Sequence, residues 1–160
     1  MKAVKKDSDF KTSLKVGTKT DLVNIYLSEC KAWRSIDSLA YDKVQASVKF
    51  HGELLEDQNT NFLAKATLST KGLTKGEPEE KEIVSIECEY ILTYSLRDRN
   101  GLSKEEIERF CNINAVYNVW PYWRELIQNI SNRMEIPTLT LPLFRIRERK
   151  MKEKKTKKYE

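Results

Sequence analysis

The chain is predicted to be an α+β protein, a four-stranded antiparallel sheet followed by a short helix and a long amphipathic helix. Three observations predict this. Between Leu22 and Leu96 apolar residues recur largely at every second position, the period of strands with one buried face. From Ser103 to Met134 the spacing changes to three and four, the period of a helix. Strands first and helices last is the order of α+β domains, not of alternating βαβ units.

The elements follow in order. Met1 to Thr20 has few large apolar residues beyond Phe10, Leu14 and Val16, so residues 1–21 read as a flexible basic arm. Leu22 to Trp33 mixes β-branched, aromatic and polar residues and suits a strand, although its alternation is imperfect. Ser35 to Tyr41 is a connection. From Lys43 to Leu54 the alternation is cleaner, with Val44, Ala46, Val48, Phe50 and Gly52 on one face and Lys43, Gln45, Ser47, Lys49 and His51 on the other. After a turn at Glu56 to Thr60, Phe62, Ala64, Ala66 and Leu68 continue the period, and the two strands should pair as a hairpin.

Gly72, Gly76 and Pro78 among charges mark a loop over Lys71 to Glu80. The fourth strand, Glu82 to Leu96, sets Val84, Ile86, Cys88, Tyr90, Leu92, Tyr94 and Leu96 against Ile83, Ser85, Glu87, Glu89, Ile91, Thr93 and Ser95. That implies an antiparallel sheet with one acidic, wetter face. Ser103 and Glu106 form a capping box opening the short helix, whose apolar stripe is Ile107, Phe110 and Cys111. The long helix then carries Trp120, Trp123, Leu126, Ile127, Ile130 and Met134 on one side. Pro121 suits its first turn, with Asn118 as cap, and Pro137 ends it by pushing Glu135 and Ile136 towards extended geometry. Thr138 to Phe144 is an extended arm with Leu139, Leu141 and Leu143 on one side.

Composition narrows the function. With 160 residues, 39% hydrophobic and 33% charged, the chain can bury a core without disulfides or metal. No run is long and apolar enough to cross a bilayer, and Met1 to Asp7 leads into no apolar signal region, so a cytoplasmic location is expected. Cys30, Cys88 and Cys111 lie far apart in sequence and form no CxxC or Cys/His cluster, which reads as reduced structural thiols. The net charge of +5 divides unevenly. Met1 to Thr20 holds six basic and two acidic residues, Arg145 to Glu160 nine and three, and the body between them 14 and 19. Residues 145–160 therefore read as a basic tail. The two basic ends keep open a nucleic-acid-associated module, although no aromatic is interleaved before Tyr159, which makes specific nucleic-acid binding the lesser reading.

Catalysis finds little to stand on. One histidine, His51, excludes HExxH and any multi-histidine metal site, and no Gly-rich phosphate loop or GxSxG is present. The pairs Glu79–Glu80 and Glu105–Glu106 fall in a loop and a first helical turn, where solvation and the helix dipole account for them. No enzyme activity, cofactor or metal is expected. What needs explaining is the quantity of large apolar side chains from Phe110 to Phe144. One four-stranded sheet should cover only part of it, leaving the rest for a second copy, a structural interface or a bound polypeptide.

Trp120-Pro121-Tyr122 with Arg124-Glu125, then Ser131-Asn132-Arg133, then Pro137-Thr138-Leu139-Thr140-Leu141, resembles the SecB family of protein-export chaperones. There a Phe-Pro-Tyr-x-Arg-Glu motif opens the main helix and a Pro-x-Leu-x-Leu arm follows it. The resemblance covers roughly Leu22 to Phe144 and implies a SecB-like chaperone domain over residues 22–144. It implies a homotetramer, a dimer of dimers, that holds non-native or precursor polypeptides in apolar grooves without ATP. Client-binding residues implied by region are Trp33, Phe50, Tyr94, Phe110, Tyr117, Trp120, Leu139, Leu141 and Phe144. Glu29 and Glu89 look like the family's acidic contacts to the SecA-type export ATPase. Two departures, the Lys-rich end and the replacement of the family's second C-terminal helix by Arg145 to Glu160, leave room for a different client, such as the antitoxin of a toxin–antitoxin pair.

Overall fold

The computed structural model describes residues 6–36, 44–74 and 81–144. Its elements are α1 (Lys6–Gly17), β1 (Thr20–Arg34), β2 (Val44–Asp57), β3 (Asn61–Thr74), β4 (Glu82–Leu96) and α2 (Lys104–Arg133). The expected α+β class with a four-stranded antiparallel sheet is what the chain adopts, in the order β1-β4-β3-β2. β2, β3 and β4 form a meander, and β1 lies on the far side of β4. Gln58 N–H donates to Asn61 C=O at 2.8 Å to close the first hairpin.

Period-two patterning decides which face meets α2. Phe62, Ala64, Ala66, Leu68 and Thr70 of β3 and Val84, Ile86, Cys88, Tyr90, Leu92 and Tyr94 of β4 are buried, while the residues between them on β3 are half-buried. β1 departs from simple alternation because it carries two bulges, between Leu22 and Asn24 and between Leu27 and Glu29. α2 crosses this face tightly at Gly52 of β2, where an added Cβ would stand 2.5 Å from the Cys111 carbonyl oxygen. Only a residue without a side chain lets the helix backbone approach the strand this closely.

The helices differ from the reading of the sequence in three respects. Lys6–Gly17 of the expected arm is helical, because Val16 is fully buried and Lys15 pairs with Glu106 of α2 at 2.7 Å. Those partners lie more than ninety residues away along the chain and leave no local pattern. Residues 1–5 and the basic tail, 145–160, lie outside the described residues.

The expected short and long helices are one helix of 30 residues, with Pro121 in its interior and not in a first turn. Asn118 does not cap; its Nδ2 donates to the Tyr94 hydroxyl at 2.8 Å. Pro121 gives no N–H to the Tyr117 carbonyl, and both residues are exposed, while buried Ala115, Val116, Val119, Trp120 and Trp123 hold the helix together on the other side.

The end of α2 is also different. Glu135 has φ 52° and is left-handed, not extended. Ile136 N–H donates to Ser131 C=O and Glu135 N–H to Asn132 C=O, each at 3.2 Å. These are the paired bonds of a Schellman cap, which satisfy the last carbonyls and accept glutamate where glycine is favoured. The expected capping box at the start is present, with Glu106 N–H donating to Ser103 Oγ at 3.2 Å and Ser103 N–H to Glu106 Oε2 at 2.9 Å.

Candidate functional site

The arm that follows α2 folds back along it. Leu139 and Leu141 are buried and Thr138, Thr140 and Pro142 exposed, the alternation of an extended segment, whereas Leu143, expected on the side of Leu139 and Leu141, is exposed. Trp120 Nε1 donates to Pro142 C=O at 2.8 Å, Arg124 Nε to Leu141 C=O at 3.0 Å, and Thr138 Oγ1 to Asn132 Oδ1 at 3.2 Å. Trp120 and Arg124 are four residues apart and so share one helix face, from which both read the arm's backbone. In the sequence Arg124 stands out only as part of the Trp120-Pro121-Tyr122 motif, and its role as an anchor emerges only where the arm returns along the helix.

The arm delivers Phe144 to an aromatic cluster. Phe144 lies 5.0 Å from Trp120, 5.4 Å from Phe50 and 6.2 Å from Tyr117 between ring centroids, and Phe50 lies 5.8 Å from Trp120. These are edge-on and tilted contacts of the kind aromatic quadrupoles favour. Trp120 is 6% exposed, whereas Phe50 is 49% and Tyr117 50% exposed. Phe50 stands on β2, an edge strand whose outward N–H and C=O groups meet no further strand among the described residues. The cluster therefore places half-exposed rings beside a sheet edge that no other described strand covers.

The remaining sequence candidates are placed elsewhere. Tyr94 and Phe110 are buried in a second cluster with Phe62, where Tyr94 stacks on Phe62 at 4.9 Å and meets Phe110 at 5.3 Å. Burial pushes the Tyr94 phenol well above its ordinary range, partly offset by its bond to Asn118. These two residues are core. Trp33 pairs with Ser85 on the opposite face of the sheet, where it borders a shallow, open depression shared with Lys31, Lys71 and Glu82.

Glu29 and Glu89 are direct cross-strand partners on that outer face. Glu29 pairs with Lys31 at 2.7 Å and Glu89 with Lys65 at 3.6 Å, while Lys65 also meets Glu53 at 2.9 Å. The hydrogen bond to Glu53 is the main reason Lys65 is held above its ordinary range, and Glu29 does the same for Lys31. The outer face is thus a lattice of alternating charge, not the acidic face expected from β4 alone. Lysines from β1 and β3 interleave with its glutamates.

The excess apolar surface is also redistributed. Phe110, Trp120, Trp123, Leu139 and Leu141 are buried within the chain. Leu22, Val23, Tyr26, Leu27, Trp33 and Ile36, on β1 or just after it, are exposed instead. Among the described residues no group of three or more His, Cys, Asp or Glu is placed to hold a metal ion, and no helix is long and apolar enough to cross a membrane.

This sheet, backed by one long helix and a returning arm, is a SecB-like fold. The chain is similar in structure to the Mycobacterium tuberculosis SecB-like chaperone solved in complex with a ChAD peptide from the HigA1 antitoxin, at TM-score 0.74 and 13% identity over 86% of this chain and 99% of that one. A protein of unknown function from Streptococcus agalactiae aligns at TM-score 0.39 and 11% identity over 78% of this chain and 97% of that one. No protein-family model and no curated protein matches the chain.

Proposed function

We propose that the chain is an ATP-independent holdase that binds extended, apolar polypeptide segments on the surface formed by Phe50, Tyr117, Trp120 and Phe144. The observation that carries this reading is the half-exposed aromatic cluster beside β2, an edge strand among the described residues. Covering the exposed half of Phe50 or Tyr117 contributes about 2 kcal/mol for each ring. An edge strand adds sequence-independent hydrogen bonds to an extended backbone, so a client is selected by apolar content and lack of structure. Buried Leu139 and Leu141 hold the arm that presents Phe144, while Tyr94 and Phe110 belong to the separate core cluster around Phe62.

The client is an extended segment of a partner protein, a reading supported by the structurally similar mycobacterial chaperone, which was solved in complex with a peptide from an antitoxin. Export of precursors is the second reading. It rests on Glu29 and Glu89 lying side by side, though each is engaged by a lysine. A cytoplasmic homotetramer and a non-enzymatic role complete the proposal. The nucleic-acid alternative rests on basic ends that are mostly outside the described residues.

The test is suppression of aggregation of a chemically unfolded client, with the Phe50→Ser, Tyr117→Ser double variant as control. The wild type should suppress aggregation at stoichiometric ratio. The variant should remain folded by circular dichroism and lose roughly a hundred- to a thousandfold in client affinity. Absence of suppression by the wild type would sink the proposal. Retention of an export ATPase that is lost in Glu29→Gln, Glu89→Gln would favour the export reading.

A further inference from the structure

Cys30 and Cys88 stand 58 residues apart in the chain, yet the β1/β4 register makes them direct partners. Opposed positions of an antiparallel pair have Cα atoms about 4.5 or 5.5 Å apart, and both values fall within the range a disulfide spans. The side chains already converge, with Cys88 Sγ donating to Cys30 Sγ at 2.9 Å. The two thiols differ in access: Cys30 is exposed on the edge strand and Cys88 is 1% exposed. The third thiol, Cys111, is buried on α2 and belongs to the helix–sheet contact at Gly52.

We infer that Cys30 and Cys88 are a site of reversible thiol oxidation, at which a hydroperoxide closes a disulfide that fastens the edge strand β1 to β4. The inference does not depend on client binding.

The exposed thiol reacts first. The Cys30 thiolate attacks one peroxide oxygen, the O–O bond breaks, and hydroxide or alkoxide leaves and takes up the released proton. Cys30 is then a sulfenic acid. The Cys88 sulfur, already in contact, attacks the Cys30 sulfur. The S–S bond forms, the S–O bond breaks, and the departing hydroxide accepts the Cys88 proton to become water. In sum two thiols lose two electrons and two protons, and the peroxide accepts them. Burial holds the Cys88 thiol well above its ordinary range and away from solvent, so the peroxide meets Cys30 first, and contact with the Cys30 sulfur brings Cys88 into the second step.

The bond would clamp the strand whose inner face, Leu22, Ile25, Leu27 and Ala32, has the least cover. By closing a long loop it also constrains the unfolded chain. Oxidised protein should melt above reduced protein by roughly 5–10 °C.

The full chain, reduced and desalted, is treated with stoichiometric hydrogen peroxide. Free thiols counted after denaturation should fall from three to one. A non-reducing digest should yield the Cys30 and Cys88 peptides joined, lighter than their sum by two hydrogens, and dithiothreitol should separate them. Cys111→Ser should leave the link intact. In Cys88→Ser the oxidation should stop at a Cys30 sulfenic acid trapped by dimedone. Three thiols surviving treatment, a bond to Cys111, or a bond between two copies would each overturn the inference.

Discussion

Glu106 works in two directions at the start of α2. Its carboxylate accepts from Ser103 N–H at 2.9 Å within the capping box and from Lys15 Nζ of α1 at 2.7 Å. The Lys15 bond first, and the Ser103 N–H second, hold it below the ordinary carboxylate range. A carboxyl whose folded pKa is depressed contributes stability that is complete above its unfolded value, about 4.3, and is lost as pH falls through the folded value. Glu106→Gln keeps an acceptor for Ser103 but removes the charge. It should lower stability at pH 7 by a few tenths to about 1 kcal/mol, with the difference narrowing as pH is lowered from 7 to 3. Urea midpoints at the two pH values check this, and an equal loss at both would assign the effect to the hydrogen bond instead. The capping box was legible because Ser103 and Glu106 are three residues apart. The contact of Cys30 with Cys88 was not legible, because it exists only through a register that two bulges help to set.

At the scale of elements, the strands were readable wherever both neighbours in the sheet force strict alternation, as on β3 and β4. β1 pairs on one side only and lacks cover, so bulges there cost little and blurred its pattern. The two helices depart from their sequence patterns for opposite reasons. α1 is stabilised by Val16, Lys15 and Ser13 against α2, with Asn114 Nδ2 donating to Ser13 Oγ, and carries little apolar stripe of its own. α2 contains a proline that local rules read as a beginning, but tertiary packing on either side carries the helix through it. Proline in a helix interior is about 3 kcal/mol less favourable than alanine. Pro121→Ala restores a donor to the Tyr117 carbonyl and should stabilise the protein by about 1–3 kcal/mol, read as a higher denaturation midpoint. An unchanged or lower midpoint would mean that the fold relies on the local distortion that proline imposes beside Tyr117.

At the scale of the whole molecule, a helix is about 10–12 Å across and four strands at about 4.8 Å spacing span a wider face. One helix cannot cover them all. α2 lies over β2 and β3, its neighbouring side chains seal β4, and β1 keeps Leu22 and Leu27 on the inner face at 42% exposure each. The sequence pointed to surplus apolar surface but assigned it to the C-terminal segment; the arm's return along α2 buries much of that segment and moves the surplus to β1. Contiguous apolar surface of this kind on an edge strand invites a second copy, and the bond from Arg34 Nη1 to the Met134 carbonyl ties the strand's far end to α2 so that the strip is held in place. The protein should therefore run in light scattering well above its 18.8 kDa chain mass, with four chains the expected assembly. Leu22→Glu with Leu27→Glu touches two half-open positions, so the monomer should stay folded by circular dichroism while the mass falls towards that of one or two chains. A wild type that stays at one chain mass at micromolar concentration would refute the assembly. A double variant that keeps the full mass would move the interface to the exposed side of α2, where Tyr122 is uncovered.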